Sequence, residues 1–285
     1  MNRTLLLSLT TLLLPAAAGA QSEYLRITED AAGTPLAMQT PIIAFESAGG
    51  EPRGLQVDLV GAVHIADAGY YSTLNQRFAD YDAVLYELVA PEGARPVPDA
   101  APTNLVSFAQ TGMTQMLGLT HQLDEIDYLQ PNFVHADLTP QGLTQSMSER
   151  GESVIGYMFQ LLEAAAEGEL PETARSVSGL TLLAMLFSPD RERLLKTEFA
   201  HSMLDVEWLT NLIEGNQGSS LIGERNARAL AVLAERIALG DRRIAIFYGV
   251  AHLPDFVSRL ESEFSLVQRD VTWLDAWDLG PGPVQ

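Results

Sequence analysis

The chain of 285 residues contains no cysteine. This absence excludes disulfide bonds, thiolate ligands for a metal ion, and a lipid anchor attached to a cysteine. The length is sufficient for one large or two small domains. We therefore expect stability to come from a hydrophobic core, from a bound metal ion, or from both.

Basic residues are also scarce. Lys and Arg number 17 against 37 Asp and Glu, so the formal net charge is −20. A surface of this charge repels nucleic acid and anionic lipid headgroups, and we expect neither as a partner. A divalent cation would meet a favourable field, although an acidic surface also serves ordinary solubility.

Long apolar runs are missing beyond the N-terminus. Residues 5–14 form an apolar stretch after Arg3, and Ala18-Gly-Ala20 is typical of a signal-peptidase site. This pattern predicts a signal peptide over 1–20 and an exported protein, periplasmic or extracellular. No later run is long enough for a stable membrane span, and 180–187 is better explained as a buried helix. We expect one domain over 21–279 and a flexible tail at 280–285.

Two segments of the chain have a β-α-β pattern. In the first, strands are predicted over 55–64 and 83–88 around a helix over 68–81; in the second, strands over 243–250 and 266–273 flank a helix over 255–264. Short strands are also expected at 24–28, 42–46 and 133–136. Residues 104–239 otherwise have mostly helical spacing. These patterns predict an α/β (α+β) fold, with a central mixed sheet built from two β-α-β halves and a helical insert over 104–239 that caps the active-site edge.

Histidine occurs five times, and two copies share one motif at the end of a predicted strand. These are Gly61-Ala-Val-His64 and Gly249-Val-Ala-His252. Loops at strand ends are where α/β sheets bind ligands, so two imidazoles there indicate a metal site or an acid–base site. His121 and His201 have no ligand partner at helical spacing and are interpreted as packing or surface residues, while the role of His135 is open.

Three charged residues complete the candidate site. Glu87 interrupts an apolar run, so it either has a partner or lies on a solvated face. Asp137 ends a strand-like run, although Thr139 and Pro140 also give it a place in a helix-capping turn. Arg225 lies in the first turn of a predicted helix, where it opposes the helix dipole and therefore indicates an anionic partner, the alternative being an ordinary surface arginine.

The two β-α-β units align with each other without a gap. His64 then matches His252, and Glu87 matches Asp275. Either an internal duplication or chance in an acid-rich chain explains this agreement. A duplication would bring two histidines and two carboxylates to one edge of the sheet.

Several of these segments together resemble the TraB/GumN/TIKI family over residues 55–277. They are the two Gly-x-x-His motifs, Tyr-Glu87, the stretch from Gln122-Leu-Asp-Glu-Ile-Asp-Tyr128 through Asn132-Phe-Val-His-Ala-Asp137, and Glu-Arg-Asn226. The resemblance implies a metal-dependent protease that uses manganese or cobalt. Carried over, it implies His64 and His252 as metal ligands and Glu87 as a ligand or catalytic base. The wider grouping includes erythromycin-esterase-like hydrolases and a haem-binding lipoprotein, so the scaffold does not dictate one reaction.

The sequence favours an exported metal-dependent hydrolase that acts on a peptide or small-molecule substrate. The expected site has His64, His252 and Glu87 around a divalent ion (Mn, Co or Zn), with Glu87, Arg225 and Asp137 in catalysis. One alternative is a non-catalytic envelope protein that binds haem, a metal or a peptide signal at the same edge. A third is an acidic envelope protein with a degenerate site. The sequence does not determine the natural substrate, the identity of the metal or the oligomeric state.

Overall fold

A computed structural model describes residues 22–50, 52–96, 114, 116–171, 184–215 and 218–281. The expected signal peptide, parts of the helical insert and the last four residues of the tail lie outside these ranges. In the described ranges, no helix is both long and apolar enough to cross a membrane.

Four strands precede the first helix, helices dominate the middle of the described chain, and strands and helices alternate towards its end. The strands are β1 Arg26–Glu29, β2 Pro35–Ser47, β3 Gln56–Ala62, β4 Ile65–Ala66, β5 Ala83–Tyr86, β6 Thr120–His121, β7 Phe133–His135, β8 Arg243–Gly249 and β9 Leu266–Asp278. The helices are α1 Ala68–Phe78, α2 Gln122–Glu125, α3 Pro140–Arg150, α4 Val154–Glu167, α5 Arg191–Met203, α6 Val206–Glu214, α7 Gly223–Leu239 and α8 Leu253–Phe264, with a 3-10 turn at Val250–His252.

The main sheet has seven strands and is mixed, which confirms the expected fold class. Four strands, in the order β3-β8-β5-β7, run parallel and form its centre. Antiparallel pairing adds β2 beside β3, and β2 in turn pairs with β1 and β9. The parallel strands are apolar and buried because helices cover both faces, as is typical of parallel sheets. A separate pair, β4-β6, joins residues 65–66 to 120–121.

The core has one layer on each face of the sheet. On one face, α1 packs its buried positions Tyr71, Leu74 and Phe78 against alternate residues of the parallel strands. On the other face, α7 and α8 pack against the intervening strand residues, for example through Leu233 and Phe256. This arrangement follows from the period of two along the strands and the helical spacing of the apolar residues.

The two β-α-β units are present, but their strands are not neighbours. β3 and β5 are parallel with β8 between them, and β9 pairs with β2 instead of lying beside β8. Asp275 lies within β9, where its carboxylate accepts a hydrogen bond from Gln39. Asp275, the second carboxylate of the supposed duplication, therefore does not lie beside His252. The reason is that β9 pairs with β2 and is not a neighbour of β8.

Part of the predicted helical insert lies against the end of β8. α6 packs against the 3-10 turn at Val250–His252, and Thr210 Oγ1 donates to the carbonyl of Ala251 at 3.2 Å. α7, which closes the insert, returns directly into β8. The described helices of the insert thus place side chains at the edge where the parallel strands end.

Candidate functional site

Four neighbouring parallel strands end at one edge of the sheet, and a polar residue follows each of them. In spatial order they are His64 after β3, His252 after β8, Glu87 after β5 and Asp137 after β7. The strands are in register, since Ala62 of β3 pairs with Gly249 of β8. Because the carboxyl ends of parallel strands meet at one edge, residues far apart in sequence come together there.

Arg225, in the first turn of α7, links the two carboxylates. Its Nε and Nη2 donate to Asp137 Oδ1 and Oδ2 at 2.9 and 2.6 Å, and Nη2 also donates to Glu87 Oε1 at 2.7 Å. The Asp137 side chain is completely buried, and those of Arg225 and Glu87 are largely so. Burial lowers the pKa of Arg225, but the hydrogen bond to Asp137 and the charge of Glu87 outweigh it and raise the pKa above its usual value. Arg225 is therefore charged at every physiological pH, and the anionic partner expected from the helix dipole is present.

Glu87 is held as a carboxylate. Burial raises its pKa, but the charge of His252 when its ring is protonated at low pH, the charges of Arg225 and His64 and the N–H of Gly249 together hold the pKa well below its usual value. The backbone N–H of Gly249 donates to Oε2 at 2.7 Å. A Cβ at position 249 would lie 3.3 Å from the same oxygen, which explains the glycine of the second Gly-x-x-His motif: a side chain would crowd the carboxylate.

His252 has a defined tautomer. Asn226 Nδ2 donates to the His252 carbonyl at 3.0 Å and to Asp255 Oδ2 at 2.8 Å, so Asn226 Oδ1 must accept the hydrogen of His252 Nδ1, at 2.6 Å. His252 Nε2 then carries the lone pair of the ring, and this lone pair accepts a long hydrogen bond from Arg225 Nη1. Nε2 lies 3.5 Å from Arg225 Nη1 and 3.6 Å from Glu87 Oε1. Burial is the main reason that the pKa of His252 falls to about 4, so the ring is neutral at pH 7.

A cavity of about 210 Å³ opens beside these groups. It is lined by Glu87 and Arg225, by the exposed His64, and by His121 and Gln122. The β4-β6 pair places the last two there, since Ile65 pairs with His121 and the N–H of Gln122 donates to the His64 carbonyl at 2.9 Å. His121, interpreted from sequence as a packing residue, is therefore a lining residue of this cavity.

A divalent ion at His64, His252 and Glu87 would need these side chains in another arrangement. The donor types of His64, His252 and Glu87 suit Mn, Co or Zn. Within the described ranges, however, no group of three or more His, Asp or Glu side chains converges on a point that an ion could occupy. The guanidinium of Arg225 bonds to Glu87 and lies close to His252 Nε2, so a cation already fills the space between two of the expected ligands. Their roles as metal ligands stay a prediction.

The structure thus gathers Glu87, Asp137, Arg225 and His252 into one bonded cluster and places His64 on the adjoining cavity. Other histidines do not join the cluster: His135 Nε2 contacts the carbonyl of Leu88 at 2.7 Å, and His201 lies in α5. Sequence reasoning missed Asn226, His121 and Gln122. The sequence did point towards Asn226, because it stands within the Glu-Arg-Asn segment. An uncharged amide, however, does not indicate which residue will be its partner.

Comparison of the chain with protein-family models, with curated proteins and with solved structures finds no match.

Proposed function

We propose that this protein is a hydrolase that acts on a peptide or small-molecule carbonyl substrate at the edge formed by β3, β8, β5 and β7. One observation carries the proposal: Asn226 holds the buried, neutral His252 so that the lone pair of Nε2 points towards Arg225 and Glu87, where it accepts only one long hydrogen bond among the described residues, from Arg225 Nη1. A general base needs such a lone pair and an orienting group behind the ring. Asn226 has no solvent exposure and three hydrogen bonds, which makes it a rigid orienting group.

The proposed reaction uses groups of the protein alone. His252 Nε2 removes a proton from water as the water oxygen attacks the carbonyl carbon. The Glu87 carboxylate stabilises the imidazolium that forms, since its Oε1 lies 3.6 Å from Nε2. Arg225 Nη1, whose hydrogen-bond contacts are both as long as 3.5 Å, turns to the developing oxyanion. The imidazolium then returns the proton to the leaving amine or alkoxide as the carbon–heteroatom bond breaks.

Asp137 and Arg225 have separate parts in this scheme. Asp137 accepts two hydrogen bonds from Arg225, which fix the plane of the guanidinium so that Nη1 is presented next to His252. Asp137 therefore acts as a positioning residue through Arg225. His64 lies on the cavity with an exposed side chain, where it is able to contact substrate.

The resemblance to the TraB/GumN/TIKI family supports the hydrolase class and adds two further proposals. The first is a divalent ion at His64, Glu87 and His252, which metal analysis of purified protein tests directly. The second is export to the periplasm or the cell exterior, with cleavage near Ala20. N-terminal sequencing of the secreted form tests this second proposal.

The experiment for the function is a panel of blocked peptides and matched esters, assayed with and without a chelator. We expect turnover by the wild type and by the control variant His201→Ala. His252→Ala and Glu87→Gln should lose it, because the base and its counter-charge are gone. A wild-type protein that hydrolyses nothing in the panel would contradict the hydrolase assignment.

The alternative, a non-catalytic binder of haem, metal or a peptide signal, predicts ligand binding without turnover. A Soret band on haem titration would identify the haem form. The volume of about 210 Å³ is below the range of about 300–1,000 Å³ that is typical of sites enclosing drug-sized ligands. The cavity is therefore suited to the reacting part of a chain and less suited to a whole macrocycle.

A further inference from the structure

Gln122 is a lining residue of the cavity to which neither the sequence nor the proposed reaction assigns a role. It begins α2 directly after His121, and its backbone N–H donates to the His64 carbonyl. Its position beside the first Gly-x-x-His motif is therefore set by backbone pairing and does not depend on its side chain.

The side chain of Gln122 has one satisfied end and one unsatisfied end. Nε2 donates to the hydroxyl of Tyr128 at 2.8 Å. The residue is only 5% exposed, and Oε1 has no hydrogen-bond partner among the described residues. Most buried polar atoms in folded proteins have a partner, so an exception needs an explanation.

The location of this unpaired oxygen points to a ligand. Four buried side-chain atoms in the described ranges lack a partner, and Gln122 Oε1 is the one that belongs to a residue lining the cavity beside Glu87 and Arg225. An amide oxygen accepts hydrogen bonds and donates none. A partner for this oxygen must therefore be a hydrogen-bond donor.

Neighbouring groups narrow the class of donor. The oxygens of Glu87 already accept from Arg225 and from the N–H of Gly249, so the full charge that would attract an ammonium group is largely compensated. The residues that line the cavity therefore include Gln122, with an unpaired neutral acceptor, and Arg225, with hydrogen-bond donors. An amide presents a matching N–H and C=O, whereas an ester presents acceptors alone.

We propose that Gln122 Oε1 binds an N–H group of the substrate, so that the site selects amides over esters. The assignment of this group as a substrate contact rests on the proposed function. Gln122 is then a substrate-binding residue that determines specificity, and the substrate class is the peptide or a related amide.

The test measures binding, so that it is independent of turnover. The probes are N-acetyl-alanine methylamide and its analogue methylated on both nitrogens, which keeps the carbonyl groups and removes the N–H groups. Calorimetric titration of the wild type should show about tenfold tighter binding of the N–H probe, the value of one ordinary hydrogen bond. Gln122→Met, which removes the acceptor with little change in volume, should bring the two affinities within about twofold.

Matched variants separate the hydrogen bond from steric effects. Gln141→Met, at an exposed position of α3, should keep the tenfold preference. Gln122→Glu retains an acceptor oxygen and should also keep it, and this variant together with the wild type decides the question if Gln122→Met does not fold.

Three results would overturn the proposal: equal binding of both probes by the wild type, no binding of either probe, or a preference that survives in Gln122→Met. The proposal would also be overturned if removal of a carbonyl group from the probe lowered its affinity while removal of an N–H group did not. The unpaired atom of the Gln122 amide would then be its nitrogen, which donates, and not its oxygen. Tight, N–H-dependent binding without any hydrolysis would refute the proposed function and leave this inference standing.

Discussion

Replacement of Arg225 by methionine would remove the only positive charge bonded to two buried carboxylates within the described site. Three hydrogen bonds of 2.6, 2.7 and 2.9 Å join Arg225 to Asp137 and Glu87. The Asp137 carboxylate would keep one hydrogen bond among the described residues, donated by the backbone N–H of Leu138. Its side chain has no access to water. The variant therefore tests whether the cluster is as tightly coupled as the geometry indicates.

The expected loss in the free energy of unfolding follows from these three hydrogen bonds. A hydrogen bond to a charged group contributes about 1.5–3 kcal/mol, so three give a gross loss of about 5–9 kcal/mol. Part of this is offset because Arg225 no longer has to be dehydrated and because Asp137 can take up a proton. Loss of one partner from a buried ion pair typically costs about 3–5 kcal/mol, and we expect about 4 kcal/mol for Arg225→Met. In a protein of this size the melting temperature should fall by about 10 °C.

The assay is urea unfolding at pH 7, and the matched control is Arg269→Met. Arg269 bonds to Glu46 at 3.4 Å with both side chains more than half exposed, so its loss should cost less than about 1 kcal/mol. Adding Asp137→Asn to Arg225→Met should recover about 1–2 kcal/mol, since a neutral amide is cheaper to leave buried than a carboxylate. Equal stability of Arg225→Met and Arg269→Met would refute the reasoning.

Three further predictions concern the histidines and their partner. Asn226→Ala should lower kcat by about 10- to 100-fold, because the tautomer and orientation of His252 are no longer held; unchanged turnover in steady-state assays would contradict the role of Asn226. The pKa of His252 is about 4 in the folded protein against 6.5 in the unfolded chain, so the unfolded state alone gains a proton as the pH falls from about 6.5 to 4. Folding stability should therefore decline by about 3 kcal/mol over that interval in urea titrations, and His252→Gln should lack this part of the decline. Finally, if a divalent ion is bound as the family resemblance implies, elemental analysis should find it in the wild type and not in His64→Ala/His252→Ala. Stoichiometric metal in the double variant would show that these histidines are not its ligands.

The strands of the central sheet were predictable from sequence, but their order was not. Apolar, β-branched runs bounded by turn residues identified the segments that became β3, β5 and β8 to within a few residues. Their neighbours depend on pairing between residues nearly two hundred positions apart, such as Val57 with Ile244. The insertion of β8 between β3 and β5 is therefore a property of long-range packing that local periodicity does not contain.

Two charged residues of the site were predictable because each violates a local rule. Glu87 is a carboxylate in an apolar run, and Arg225 opposes a helix dipole, so each indicated a partner of opposite charge. The structure makes these two residues partners of each other. Gln122 and Asn226 violate no rule, since a neutral amide is acceptable on a surface, in a cap or in a core. Their importance arises only from the atoms around them.

The two Gly-x-x-His motifs show how one pattern acquires two roles from its surroundings. His252 lies in the 3-10 turn after the inner strand β8, where α6 packs against the turn and Asn226 of α7 binds the ring. His64 follows β3, is exposed, and makes no side-chain hydrogen bond to any described residue. A buried ring with a fixed tautomer is suited to proton transfer, whereas an exposed ring on the cavity is free to adapt to a substrate. The motif alone therefore predicts where the imidazoles lie, and in the proposed reaction the burial of each determines which one acts as the base.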